Sequence, residues 1–176
     1  MNVISQRTHA VALSVAAGLL ALTALSAQAQ NLCGTPEQVK LIAGRTMNAG
    51  TVFVGNDATY LYVVYTTSNG WVMTETHLDI STSVSGIPQK NGNPIPGHFA
   101  YSQALSQQTY CMFAIPLSSL SLEPGMTVFI AAHADLLQLN GDYRVIQTQT
   151  GWGDGYSFPG KNWAMYFGFT IQACTQ

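Results

Sequence analysis

A short run of polar and ionisable residues, TETHLD at 74–79, has the composition and spacing of a chemical site. Side chains alternate between the two faces of a strand, so Glu75, His77 and Asp79 are expected on one face. Carboxylate oxygens and imidazole nitrogens are suitable ligands for divalent metal ions, and they can also transfer protons. The run therefore predicts a candidate metal or acid–base site.

A second run, residues 128–135, contributes His133 and Asp135 on one face. If the two strands were neighbours, their side chains would converge into one site, built from Glu75, His77, His133 and Asp135. Two simpler interpretations stay open. The first is a solvated strand face with cross-strand charge pairs. The second is a structural, hydrogen-bonded His133 within the apolar sequence IAAHA.

A loop rich in glycine and aromatic residues, Gly151–Phe167, is the second candidate site. Aromatic rings exposed on a loop can stack on sugar faces, while neighbouring polar side chains donate and accept hydrogen bonds. The alternative is that the rings cover the protein core, where each buries roughly 150–250 Å². The ligand-binding candidates in this loop are Trp152, Asp154, Tyr156, Asn162 and Trp163.

Motifs of well-known enzymes are missing from the sequence. It contains no GxSxG nucleophile elbow, no HExxH zinc motif, no CxxC pair and no EF-hand loop. The pattern favours a non-enzymatic domain without a required cofactor, although a zinc or calcium ion stays open. A metal-dependent or hydrolytic enzyme centred on the Glu75 and His133 runs is the alternative.

The elements that must position these residues are strands. About eight short runs of β-branched, aromatic or alternating residues are separated by turn signals, which predicts an all-β, antiparallel sandwich of the immunoglobulin-like or jelly-roll-like kind. The Asn69-Gly70 dipeptide predicts a hairpin between its flanking strands. Residues 81–99, rich in proline and glycine, predict a long surface loop. The predicted strands are 38–43, 51–54, 60–66, 71–80, 108–117, 127–134, 143–150 and 163–171.

The first 29 residues are typical of a signal peptide: an apolar run, residues 10–25, precedes the small-x-small sequence Ala27-Gln28-Ala29. Residues 30–176 then form one secreted domain, extracellular or periplasmic, without a membrane span once the leader is removed. The formal net charge of the chain is −2 and no basic stripe is present, so a nucleic-acid partner is not expected.

Three cysteines in an exported chain predict one disulfide and one free thiol. A Cys33–Cys174 bond would join the two ends of the domain and is preferred. Cys111 is then interpreted as a small buried apolar residue, although pairings through it stay open.

The runs TETHL and WGDGYSFPGKNWAMYF resemble a largely uncharacterised set of secreted bacterial β-rich domains, in which TETHL and WGxGxxFPGxNWAxYF recur. The likeness extends from Gln38 to about Ile171. It implies a β-rich extracellular domain, alone or attached to larger surface proteins, and makes His77, His133 and Trp163 the first positions to test. The resulting prediction is a binding or structural domain whose partner is an extracellular glycan or a cell-surface protein.

Overall fold

The computed structural model describes residues 32–174, so the predicted signal peptide lies outside the described residues. Within this range the chain forms twelve strands and three single turns of 3₁₀ helix, at Val84–Gly86, Pro96–His98 and Leu117–Leu120. The strands are β1 (Cys33–Ala43), β2 (Met47–Asn56), β3 (Tyr60–Thr67), β4 (Trp71–Ser81), β5 (Gln89–Lys90), β6 (Asn93–Pro94), β7 (Tyr101–Gln108), β8 (Tyr110–Pro116), β9 (Thr127–Leu139), β10 (Val145–Gly153), β11 (Tyr156–Ser157) and β12 (Met165–Thr170).

The strands form the predicted all-β antiparallel sandwich. One continuous path of paired strands runs β11-β12-β9-β10-β1-β2-β3-β8, and β4 pairs with the other edge of β9 and carries β7 beyond it. The sheet folds so that β3 and β8, at one end of this path, face β4 across the core. The Tyr65 hydroxyl on β3 donates to the His77 carbonyl on β4 at 3.1 Å, and Thr76 Oγ1 on β4 lies 3.3 Å from Cys111 Sγ on β8.

The core between the layers is apolar because each strand places alternate side chains inward. Central strand β9 is buried on both faces from Ile130 to Ala134, as its apolar sequence predicts. Its even-numbered residues face the main core, and its odd-numbered residues face a second, outer cluster of buried side chains. That outer cluster is Ile87, Phe99, Ala131, Trp152, Phe158 and Ala164.

Two loops cover the outer face of β9 and β10. The loop before β7 supplies Ile87 and Phe99, and the loop between β10 and β12 supplies Phe158 and Ala164. Three hydrogen bonds join the two loops. The Gly160 N–H donates to the Gly92 carbonyl, and Asn93 Oδ1 accepts from the backbone N–H groups of Lys161 and Asn162. A Cβ atom on Gly160 would clash with Asn93 Oδ1 and lie 2.6 Å from the Gly92 carbonyl carbon, so this close approach of two backbones requires glycine.

The predicted hairpin at Asn69-Gly70 is wrong as a strand pairing. Both residues adopt positive φ, as such a turn requires, but β3 pairs with β2 and β8 whereas β4 pairs with β7 and β9. The backbone hydrogen bonds on the two sides of the turn go to different strands. The Ser68 N–H donates to the Ala49 carbonyl on β2, whereas the Gly70 carbonyl accepts from the Leu139 N–H on β9. The turn thus carries the chain from one layer to the other.

Strand β7 is absent from the sequence prediction. Its residues, YSQALSQQ, are mostly exposed and polar and lack the β-branched composition that signals a strand. It lies at an edge of the sheet, paired only with β4. Tyr101 and Leu105 pack against the main core, whereas the other six residues are exposed and need no apolar side chains.

The last predicted strand is shorter than expected. Phe167, Phe169 and Ile171 face the main core as predicted, but Trp163 and Met165 pack against the outer cluster instead. The core-facing alternation therefore holds from Phe167 onward. Trp163 lies in the covering loop, and Met165, the first residue of β12, packs against the outer cluster with it.

The predicted Cys33–Cys174 disulfide is present and closes a chain segment with a sequence separation of 141. Cys111 is a buried free thiol, as its preferred interpretation predicted, and its Sγ donates to Gln103 Oε1 at 3.3 Å.

Among residues 32–174 no helix has the length and apolar character needed to cross a membrane.

Candidate metal site

A β-bulge on β4 sets the orientation of the candidate residues. Met73 pairs with Leu136 on β9, but Glu75, not Thr74, pairs with Asp135. The extra residue reverses the alternation: Trp71 and Met73 point into the core before the bulge, and Thr76 and Leu78 do so after it. Glu75, His77 and Asp79 consequently face outward, as the sequence alternation predicted.

The register of β4 and β9 brings two candidate residues from each strand side by side. Glu75 lies directly opposite Asp135, and His77 lies directly opposite His133. Opposite residues of an antiparallel pair have Cβ atoms about 4.5–5.5 Å apart, so their side chains meet. β4 and β9 are therefore neighbouring strands, which is the condition on which the predicted convergence of these residues depended.

Glu75, His77 and Asp135 offer one ligand atom each, and these three atoms all lie within 4.8 Å of one another. His77 Nε2 is 3.4 Å from Glu75 Oε1, which is longer than a normal N–H···O hydrogen bond. The His77 side chain is mostly buried, whereas both carboxylates are partly exposed. The arrangement has one imidazole fixed in the protein and two carboxylates that can rotate toward a shared ion.

His133, the fourth predicted ligand, lies beside this group and not within it. Its Nε2 is 3.9 Å from Asp135 Oδ1, and its buried Nδ1 has no hydrogen-bond partner. Its ring packs against the edge of Trp152 at 4.8 Å and lies 5.6 Å from the ring of His77. Burial, reinforced by the nearby His77, lowers the pKa of His133 to about 3, so the imidazole is neutral at neutral pH.

The two remaining acids of this face have different surroundings. Burial is the largest effect on the Asp135 carboxyl and raises its pKa. The nearby His77 lowers this pKa and the Glu75 carboxylate raises it, so the net shift is upward. Burial also raises the pKa of Asp79, and backbone N–H groups of Ala100 and Ile80 offset part of that rise. Asp79 Oδ2 accepts from Ala100 N–H at 3.0 Å, so Asp79 anchors the covering loop to β4.

The aromatic candidates do not form an exposed row. Trp152 is only 5% exposed and lies beneath the covering loops, whereas Tyr156 is 72% exposed and Trp163 is half-buried. Asp154 and Asn162 are exposed, and Asn162 Oδ1 accepts from the Ala164 N–H within the loop. The Tyr156 ring lies 6.0 Å from the ring of Tyr166. The solvent-facing aromatic surface is therefore centred on Tyr156.

Sequence reasoning missed the residue that orients the site, Thr74. Its hydroxyl donates to the Asp135 carbonyl at 3.3 Å, which holds the bulge against β9. A signal exists in the sequence: Trp71 and Met73 occupy odd positions whereas Leu78 and Ile80 occupy even positions. A strand that keeps all four in the core must contain an extra residue between them.

The fold and site together define an all-β sandwich with a mixed imidazole–carboxylate cluster on its outer face. Comparison with models of protein families, with curated proteins and with solved structures yields no match to this chain.

Proposed function

We propose that this chain is an exported, non-enzymatic binding domain that holds a first-row divalent cation, zinc in particular, through Glu75, His77 and Asp135. The observation that carries the proposal is the convergence of the three ligand atoms within 4.8 Å of one another. Two ligands come from alternate positions of β4 and the third from the position opposite Glu75 on β9.

The distance between two of the three ligand atoms matches the size of a zinc coordination sphere. Zinc bonds of about 2.0–2.2 Å to nitrogen and oxygen put neighbouring ligands of a tetrahedron roughly 3.4 Å apart. His77 Nε2 and Glu75 Oε1 are separated by 3.4 Å. The partly exposed Asp135 carboxylate must rotate to bring its oxygen to the same distance from the other two ligand atoms. The fourth coordination position of the ion would take water or a ligand atom from a partner.

The donor set also favours zinc and its neighbours over calcium. Calcium prefers six to eight oxygen ligands, whereas imidazole nitrogen suits zinc, copper, iron and nickel. The buried neutral His133 next to the cluster adds no positive charge that would repel a cation.

Export is supported by the covalent structure. Disulfides form and persist in oxidising compartments, and the Cys33–Cys174 bond joins the ends of the domain. Together with the leader sequence, this bond supports a secreted or periplasmic location.

Calorimetric titration of the tag-free, EDTA-treated domain with Zn²⁺ tests the proposal. We expect saturable binding of one ion per chain, and at zinc about 100-fold above Kd a gain of about 2.7 kcal/mol in unfolding free energy. For a domain of this size that gain raises Tm by roughly 5–10 °C. Chelator should abolish the rise.

Matched variants separate this site from adventitious binding. Glu75→Gln and Asp135→Asn each should weaken zinc binding at least about tenfold, because each removes one ligand charge. Glu37→Gln makes the same charge change on the exposed face of β1, and His98→Ala removes an exposed imidazole; both should bind as wild type. Absence of binding, or equal losses in Glu75→Gln and Glu37→Gln, would overturn the proposal.

A second candidate function is glycan recognition by the loop between β10 and β12. The observation in its favour is the 72% exposed Tyr156 with Tyr166 beside it, tilted by 37°. Such a pair can present two ring faces to a sugar, and Asp154 and Asn162 lie exposed in the same loop.

A further inference from the structure

The β9–β10 hairpin projects an apolar tip into solvent. Tyr143 is 86% exposed, and Val145 and Ile146 are 50% and 58% exposed. All three fall within residues 143–146 at the end of one hairpin, and clustered exposed apolar residues mark interaction surfaces. Tyrosine in particular is enriched among the residues that contribute most to protein–protein binding.

Hydrogen bonds fix the conformation of this tip. Asn140 Oδ1 accepts from the N–H groups of Asp142 and Arg144, and Asn140 N–H donates to the Arg144 carbonyl. Tyr143 is held at φ 59°, a left-handed conformation that is unfavourable for a bulky residue. The turn thus presents the Tyr143 side chain from a fixed backbone, which reduces the entropy lost on binding.

A cavity at the other end of the sandwich has complementary chemistry. Its volume is about 470 Å³, within the range of roughly 300–1,000 Å³ typical of ligand pockets. Leu117, Leu122 and Pro124 supply apolar lining, and the acidic residues Asp57 and Glu123 also line it. The Asp57 carboxylate already accepts three hydrogen bonds from its own loop and from Tyr62, so Glu123 is the acidic group left for a partner. The cavity can therefore accept an aromatic ring that has a cation next to it.

One charged residue on each surface has no ion-pair partner among residues 32–174. In the range 32–174 the only ion pairs are those of His77 and His133, so Arg144 on the tip and Glu123 at the cavity are both unpaired. Arg144 follows Tyr143 directly in the sequence. An apolar anchor beside a cation on one surface matches an apolar cavity with acidic residues on the other.

The two surfaces lie at opposite ends of one strand. The cavity residues Leu122–Pro124 precede β9, and the tip follows it. At about 3.3 Å per residue, the 13 residues of β9 separate them by roughly 40 Å. A tip cannot reach the cavity of its own chain, but it can reach that of another copy.

We propose that the protein self-associates head to tail, with Tyr143 of one copy entering the cavity of the next and Arg144 pairing with Glu123. Because the two surfaces differ, each copy keeps one free tip and one free cavity. Such a heterologous contact builds chains or closed rings instead of a simple twofold dimer.

Sedimentation velocity of the full exported domain at concentrations up to about 1 mM, the range for an association held by a small interface, tests the proposal. We expect the average mass to rise with concentration beyond that of a dimer. Tyr143→Ala should weaken association about 30-fold, as expected for an anchor residue. Tyr156→Ala removes another exposed tyrosine outside the tip and should leave association unchanged.

A charge exchange distinguishes specific docking from general stickiness. Arg144→Glu and Glu123→Arg should each fail to associate alone, because each places like charges at both surfaces. An equimolar mixture of the two variants should associate again, a result that misfolding of either variant would not produce. A monomer at all concentrations, or association unaffected by Tyr143→Ala, or a mixture that stays monomeric, would overturn the proposal.

Discussion

Trp152→Ala tests whether the aromatic loop is a covering layer of the fold. Trp152 is 5% exposed and contacts rings from three elements: His133 at 4.8 Å, Phe99 at 6.3 Å and Phe158 at 6.4 Å. All three contacts are edge-on, the preferred arrangement of aromatic pairs. Removal of the indole should therefore disconnect both covering loops from the outer face of the sheet.

The magnitude follows from the buried area. A tryptophan buries roughly 150–250 Å², which at about 25 cal/mol per Å² corresponds to about 4–6 kcal/mol. Partial burial in the unfolded chain reduces this figure by roughly 10–40%. We expect Trp152→Ala to lower the free energy of unfolding by about 3–5 kcal/mol, in the range measured for buried tryptophans elsewhere.

Urea unfolding followed by far-UV circular dichroism measures this loss, and avoids a tryptophan fluorescence signal that the substitution itself changes. Tyr156→Ala, in the covering loop that follows β10 and 72% exposed, is the matched control and should change stability by less than about 0.5 kcal/mol. Amide exchange adds a local measurement: the Phe158 and Gly160 N–H groups, which bond to Ala164 and Gly92, should exchange faster in Trp152→Ala. A loss below about 1 kcal/mol with unchanged exchange would refute the covering-layer interpretation.

Two further predictions concern the loop surface and the covalent link. On a glycan array, wild type should bind and Tyr156→Ala should lose the signal; an unchanged profile or no binding by wild type would contradict glycan recognition. The double variant Cys33→Ser/Cys174→Ser should lose about 2–5 kcal/mol of unfolding free energy, because the bond closes a segment with a separation of 141 in the unfolded chain. Urea denaturation measures this loss of stability, and a thiol assay that finds one free thiol per wild-type chain confirms the pairing. A loss under about 1 kcal/mol would contradict the prediction.

The candidate metal cluster and the covering layer share a boundary at His133. Its ring touches Trp152 of the outer cluster on one side and lies next to His77 on the other. The loops shield one side of the cluster from water while Glu75 and Asp135 stay partly exposed on the other. A cation would thus approach from the carboxylate side and meet an imidazole that is already fixed by packing.

Local sequence patterns were sufficient to predict several features of this protein. The period of two along TETHLD and IAAHAD was sufficient to predict which ionisable side chains share a face, since alternation is a property of the extended backbone. The apolar sequence of β9 predicted burial on both faces, and the position of Cys33 and Cys174 at the ends of the domain predicted their bond. Each of these depends on neighbouring residues or on residue type alone.

Strand partnership was decided only by the tertiary structure. A turn at Asn69-Gly70 fits a hairpin and a crossover between layers equally well, because the same φ values serve both. The choice was made by distant contacts: β4 pairs along its length with β9, and Tyr65 packs against β4 from the opposite layer. The meeting of Glu75 with Asp135, and the burial of Trp152 beneath the loops, follow from that choice and not from local sequence.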